Sequence, residues 1–171
     1  VTNKGELFFY SKKDKFKKEK IELKKIKTNI DKIIDKKYIN LHTNVVKGIL
    51  IVNDKIYISY VSENNGCYFS AILEGNLNNK KIEFLPFFNL DECKNLFGLN
   101  VGGNMEIFKN NKILFTVGDY NSYEDPQKQN SYYGKILSID LDTKSIDMIS
   151  MGHRNQQGLF YDSKNDIIFN T

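Results

Sequence analysis

Ile51-Val52-Asn53-Asp54-Lys55-Ile56-Tyr57-Ile58 is a β-branched apolar run, a two-residue polar turn and a second such run. Valine, isoleucine and tyrosine suit a pleated, half-buried surface, and an Asn-Asp pair tolerates the positive φ of a tight hairpin, so the stretch reads as two antiparallel strands. The same outline returns as Phe108-Lys109-Asn110-Asn111-Lys112-Ile113-Leu114-Phe115, and again as Tyr161-Asp162-Ser163-Lys164-Asn165-Asp166-Ile167-Ile168.

Around the first copy the spacing predicts four strands, Gly48 to Val52, Lys55 to Ser62, Cys67 to Leu73 and Lys81 to Phe87, with Asn53-Asp54 and Asn78-Asn79 as hairpin turns. Around the second, Gly134 to Ile139 and Ser145 to Ile149, joined through Asp142-Thr143-Lys144, complete another set. Residues 47–88 are one expected four-stranded antiparallel blade and 103–150 a second, packed face to face; residues 158–171 start a third. Units that cannot close a core alone must stack, and radial stacking of such sheets gives a β-propeller. A β-sandwich is the competing architecture. Against it stands the long polar loop from Tyr120 to Ser131, placed where a propeller carries loops near its channel.

Residues 1–46 are an incomplete blade or an N-terminal segment. Glu6 to Tyr10 reads as a strand. Leu23, Ile26, Ile30, Ile33 and Ile34 have helical spacing, but isoleucine and the interrupting Thr28-Asn29 favour short strands. Tyr38 to Leu41 alternates as another strand. The whole of 1–171 is taken as a single partial propeller domain.

A 40% hydrophobic and 27% charged composition suits one globular domain. The net charge of +4 comes from lysines spread along the chain and nearly balanced by acids, which gives no basic stripe for nucleic acid. No apolar run is long enough to span a bilayer, and no signal-peptide pattern opens the chain. Val1 in place of a methionine, and a strand-like run ending at Thr171, lead to the expectation of a fragment that continues at both ends. Cys67 and Cys93, with only His42 and His153 beside them, assemble no zinc spacing. They can form a disulfide or remain two reduced core thiols, and the thiol reading is preferred.

Gly152-His153-Arg154-Asn155-Gln156-Gln157-Gly158-Leu159 concentrates planar hydrogen-bonding side chains and holds the only arginine in the molecule. A flat, multi-donor fork is wanted here rather than a point charge. Either it faces a ligand together with Asn155, or it clamps loops by pairing with Asp119, Asp125 or Asp162.

Gly102-Gly103, Thr116-Val117-Gly118-Asp119, Gln127, Gly134-Lys135-Ile136-Leu137 and the 152–159 stretch occur in an order and spacing that resemble the soluble quinoprotein glucose/sorbosone dehydrogenase family. The resemblance implies a six-bladed propeller, of which this chain is about half. It also implies a channel holding pyrroloquinoline quinone (PQQ) and calcium, in which a sugar or alcohol is oxidised by hydride transfer, in a periplasmic or secreted protein. It assigns Arg154 and Asn155 to face the quinone. It places Asn100 where the family has its base histidine, and an amide cannot accept that proton. Asn104, Lys47 and Ser138 stand at positions given to an arginine, a glutamine and an arginine, and calcium's carbonyl ligands fall past Thr171. No catalytic residue and no metal ligand is therefore assigned. The alternative is a non-catalytic propeller that binds a carbohydrate or protein at its channel mouth. His153 is read as structural, Asp119 as a turn carboxylate, and Tyr132 and Tyr133 as packing residues.

Overall fold

The computed structural model describes residues 1–2, 4–10, 22–34, 45–95, 99–109 and 111–171. The strands are β1 (Leu7–Phe9), β2 (Lys24–Thr28), β3 (Val46–Val52), β4 (Lys55–Asn64), β5 (Cys67–Asn76), β6 (Lys81–Ile82), β7 (Phe84–Asn89), β8 (Gly102–Phe108), β9 (Lys112–Val117), β10 (Lys135–Asp140), β11 (Ile146–Met151), β12 (Leu159–Asp162) and β13 (Ile167–Asn170). Among the described residues the helical elements are single turns, α1 (Ile30–Ile33) and a 3-10 turn at Asp125–Gln127. None is long and apolar enough to cross a membrane.

Two four-stranded antiparallel sheets, in orders β3-β4-β5-β7 and β8-β9-β10-β11, carry the fold. The fold is all-β and these sheets resemble propeller blades in a ring that is not closed, as the repeats suggested. The β3–β4 hairpin turns at Asn53 with φ 56°, the left-handed geometry for which its short amide side chain is suited. Between the sheets lies one core in which Tyr57, Ile72 and Phe88 from the first meet Ile113, Phe115 and Leu137 from the second. Each such side chain, removed from water, contributes about 1.5–3 kcal/mol. The hairpin β12–β13 packs Leu159, Tyr161 and Ile168 on the outer residues Phe108, Leu114 and Ile136 of the second sheet.

The first sheet departs from expectation at its fourth strand, which starts at Phe84 rather than Lys81. Lys81–Ile82 instead pairs in parallel with Lys27–Thr28 of the N-terminal sheet. Asn29 makes the switch, because its side-chain carbonyl accepts from Phe84 N at 2.7 Å and its amide donates to Phe84 O at 3.0 Å. That amide stands in for a neighbouring strand and frees Ile82 to enter the N-terminal core. The Asn78-Asn79 connection consequently joins two sheets, and neither residue has positive φ. The ambiguous 23–34 stretch resolves as strand β2 followed by one helical turn. The expected strand at Tyr38 to Leu41 lies outside the described residues.

The reduced-thiol reading is corrected: Cys67 and Cys93 form a disulfide, with Cα atoms 5.6 Å apart. Cys67 opens β5 beside a turn and Cys93 lies on an exposed connection, so no apolar core encloses either thiol. The bridge is flanked by paired backbone bonds between Tyr68 and Lys94, at 2.7 and 2.8 Å. The tethered segment holds the long loop. The Glu92 carboxylate accepts from Ser131 Oγ at 2.8 Å and Tyr132 N at 2.7 Å, and Tyr133 Oη donates to Glu92 O at 2.8 Å. Lys94 pairs with Asp125, and together with Ser122 and Lys128 it holds that carboxyl well below the usual range. Beneath the loop the fully buried Lys135 donates to the carbonyls of Asp125, Pro126 and Tyr133 at 2.9, 2.9 and 2.8 Å.

Closing a loop across a separation of 26 residues lowers the entropy of the unfolded chain by about 3–4 kcal/mol at room temperature. Reduction, or Cys93→Ser, is expected to lower unfolding stability by about that amount in a urea titration. Lys135→Met removes a donor from three carbonyls, of which Asp125 O and Pro126 O keep the backbone donors Lys128 N and Gly152 N while Tyr133 O keeps none among the described residues, and it is expected to cost about 1–3 kcal/mol in the same assay.

Candidate functional site

The strands β3 and β8 are neighbours across the blade interface, and both are irregular where they meet. In β3 the register with β4 slips between Val46, opposite Tyr60, and Gly48, opposite Ser59, which leaves Lys47 as the extra residue of a β-bulge. In β8 the register with β9 slips between Gly102, opposite Val117, and Met105, opposite Phe115. A bulge re-aims the side chains it carries. Thr116 Oγ1 accepts from the amides freed in the second bulge, Gly103 N at 3.1 Å and Asn104 N at 2.9 Å. The first bulge docks against it through Ser59 Oγ, which donates to Gly103 O. Gly103 has φ +105°, and a Cβ there would stand 2.3 Å from Lys47 Cβ. Only glycine allows this approach.

Between the bulges opens a cavity of about 400 Å³ lined by Val46, Lys47, Leu99, Val101, Gly102, Asn104, Asn155 and Gln157. Its polar lining is one amine and three side-chain amides, with no carboxylate. Asn155 Oδ1 accepts from Gly102 N at 3.3 Å and from Gln157 Nε2 at 2.8 Å. Its Nδ2 has no hydrogen-bond partner among the described residues and remains a donor. Asn104 Nδ2 donates to Gln156 O at 3.1 Å, tying the second bulge to the 152–159 stretch. Gln156 is buried and its amide donates to Lys135 O at 3.1 Å, which anchors that stretch to β10.

Asn155 thus enters the cavity, whereas Arg154 beside it is exposed and does not line it. Arg154 contributes its carbonyl, which accepts from Asp119 N at 2.8 Å. None of the three carboxylates that could have made it a clamp is its partner. Asp119 accepts from Asn121 N, Asp125 pairs with Lys94 and Lys128, and Asp162 caps its own turn. Asn100 is half-buried, outside the lining, and donates to Asn121 Oδ1 at 3.1 Å. His153 is held through both ring nitrogens, with the Asn170 amide 3.2 Å from Nδ1 and Ser150 Oγ 2.8 Å from Nε2. Burial, then Lys135, pushes its pKa below the ordinary histidine value. Tyr133 is buried edge-on against Tyr120.

A sequence model of the family described as Glucose / Sorbosone dehydrogenase matches residues 3–171. The chain belongs to that family. A search of curated proteins returns no match. Among solved structures it is similar to a "glucose dehydrogenase" at 20% identity and TM-score 0.63, covering 73% of this chain and 46% of that one. It is also similar to a Thermus thermophilus structure described as a possible oxidoreductase (glucose dehydrogenase), at 18% identity and TM-score 0.62, covering 73% and 43%. A third similar structure is the PQQ-bound aldose sugar dehydrogenase of Streptomyces coelicolor, at 20% identity and TM-score 0.56, covering 69% and 37%. At these identities the likeness is one of fold. The chain spans less than half the length of each of these proteins.

In this glucose/sorbosone dehydrogenase family member Lys47 is the titratable group of the cavity. Sequence reading noted it as a departure from the family pattern. Its role as the extra residue of a bulge depends on strand register, which only the pairing partner defines. Burial pulls the amine down to about 8. The folded state therefore releases this proton while the unfolded chain still holds it, and stability rises with pH from about 8 toward the ordinary lysine value. Lys47→Met is expected to be the more stable protein at pH 7, with its advantage in melting temperature shrinking as pH rises past 9.

Proposed function

We propose that this chain forms part of the cofactor- and substrate-facing channel of a PQQ-dependent sugar dehydrogenase, oxidising a sugar or related alcohol. The observation that carries the reading is the cavity between two docked bulges, lined by an amine and amide donors without a carboxylate. That donor set fits the carbonyl oxygens of a ring cofactor, which need hydrogen-bond donors. Asn155, with its acceptor engaged and its Nδ2 left to donate, is the residue of the lining assigned to hold it, and Arg154, exposed beside it and outside the lining, is assigned to it by the family resemblance alone. When bound, the quinone supplies a two-electron acceptor. The chain's own part is to bind and orient, because amide and guanidinium donors favour negative charge on the ring oxygens. Among the described residues no group of three or more histidine, cysteine or acidic side chains is placed to hold a metal, so no role is derived for calcium. The disulfide supports an oxidising compartment, periplasmic or extracellular.

A second reading is favoured by Asn100, which stands at the family's base position and spends its amide on Asn121. On that reading the propeller binds a carbohydrate or a protein without turning it over.

Adding PQQ with calcium is expected to raise the melting temperature, since a ligand that prefers the native state stabilises it. Arg154→Lys should fold within about 0.5 kcal/mol of the parent, because no internal ion pair is lost. It should show a smaller PQQ-induced rise. No rise for the parent at saturating PQQ overturns the oxidoreductase reading.

A further inference from the structure

Lys47 is half-buried and lines the cavity between the two bulges. Its stem is pinned against Gly103 by a bulge, and among the described residues no carboxylate, carbonyl or hydroxyl takes up its Nζ. The other lysines that anchor this fold have partners, Lys135 three carbonyls and Lys94 the Asp125 carboxylate. The charged and titratable groups on the elements packed around Lys47 include Tyr60 and Glu63 on β4, Glu106 on β8, and His153 and Arg154 before Asn155. None of them lines the cavity. A half-buried ammonium that lines a cavity with no counter-charge in that lining is a poor structural device but a ready receptor for an anion.

The cavity narrows the anion's chemistry. About 400 Å³ suits a monosaccharide-sized guest. Asn104, Asn155 and Gln157 are neutral amides that can serve hydroxyl groups as donors or acceptors. One lysine balances a monoanion, whereas a phosphate dianion calls for more than a single point charge.

We propose that Lys47 is the specificity-determining contact for a carboxylate, so that the cavity takes an acidic monosaccharide, a uronate or aldonate, in preference to a neutral aldose. The choice of a sugar as the carrier of that carboxylate rests on the function proposed above. The cofactor also carries carboxylates, and the test separates the two sources. Binding of the anion favours the protonated amine, so the burial effect that brings Lys47 to about 8 must be reversed by the ligand.

The test uses the full chain with lysine side chains isotopically labelled, the Lys47 signal being assigned by its loss in Lys47→Met. Titrations are run alone and with D-glucuronate, D-glucose or PQQ, with affinities from calorimetry. The expected result is that glucuronate binds and moves the Lys47 midpoint upward, while glucose leaves it in place. Lys47→Met should weaken glucuronate by about tenfold or more relative to glucose. The proposal is overturned if glucuronate binds no tighter than glucose, or if Lys47→Met binds it as the parent does. It is also overturned if PQQ moves the midpoint and glucuronate does not, since the charge then serves the cofactor. Lys47→Gln serves for the assignment and the affinity comparison if Lys47→Met folds poorly. A Lys47 response to glucuronate without any PQQ-induced rise in melting temperature would remove the oxidoreductase reading and leave this inference standing.

Discussion

A four-stranded sheet has two faces and too few residues to bury either one by itself, so each blade of this protein is stable only against its neighbour. Everything else follows from how closely the neighbours can approach. The apolar side of that contact is the shared core of Tyr57, Ile72 and Phe88 with Ile113, Phe115 and Leu137. The polar side is the docking of two bulges, in which Ser59 donates to Gly103 O and Lys47 lies on the bare α-carbon of Gly103. Apolar packing is tolerant of small shifts, whereas the bulge contact fixes register, because one misplaced residue would reverse the facing of every side chain along β3 or β8.

That contact also creates the cavity. Two flat strands would close against each other, but two bulges hold the backbones apart over a short length and turn Lys47 and Asn104 into the gap. The amides released from the ladder find partners in Thr116 Oγ1, so the irregularity does not leave buried donors orphaned. Asn155 completes the lining from a stretch held by Gln156 and by the Arg154 carbonyl. The site is thus assembled from three separate parts of the chain, each fixed by backbone bonds rather than by ion pairs.

The long loop after Asp119 is handled differently. It has little regular structure beyond one 3-10 turn, and its order comes from outside contacts: the tether at Cys93, the Glu92 carboxylate, and Lys135 from below. Lys135 illustrates the contrast with Lys47. A buried ammonium surrounded by three carbonyls is a fastening, whereas a half-buried one with no such set is a binding group waiting for its counterpart.

The all-β architecture, the repeated four-stranded units and the family were legible in the residues, because strand periodicity and turn chemistry are local properties. The motif order named Arg154 and Asn155, of which only Asn155 lines the cavity. The residues did not reveal that Ile82 leaves its blade for the N-terminal sheet, since that depends on Asn29, distant in the chain, imitating a strand. The pairing of Cys67 with Cys93 was equally hidden, because exposure decides between core thiol and bridge and exposure is a tertiary property. Lys47 could be named from sequence only as an unusual residue. Its place as the extra residue of a bulge, lining one cavity with Asn155, was decided by the register of two strand pairs and the packing of one blade on the next.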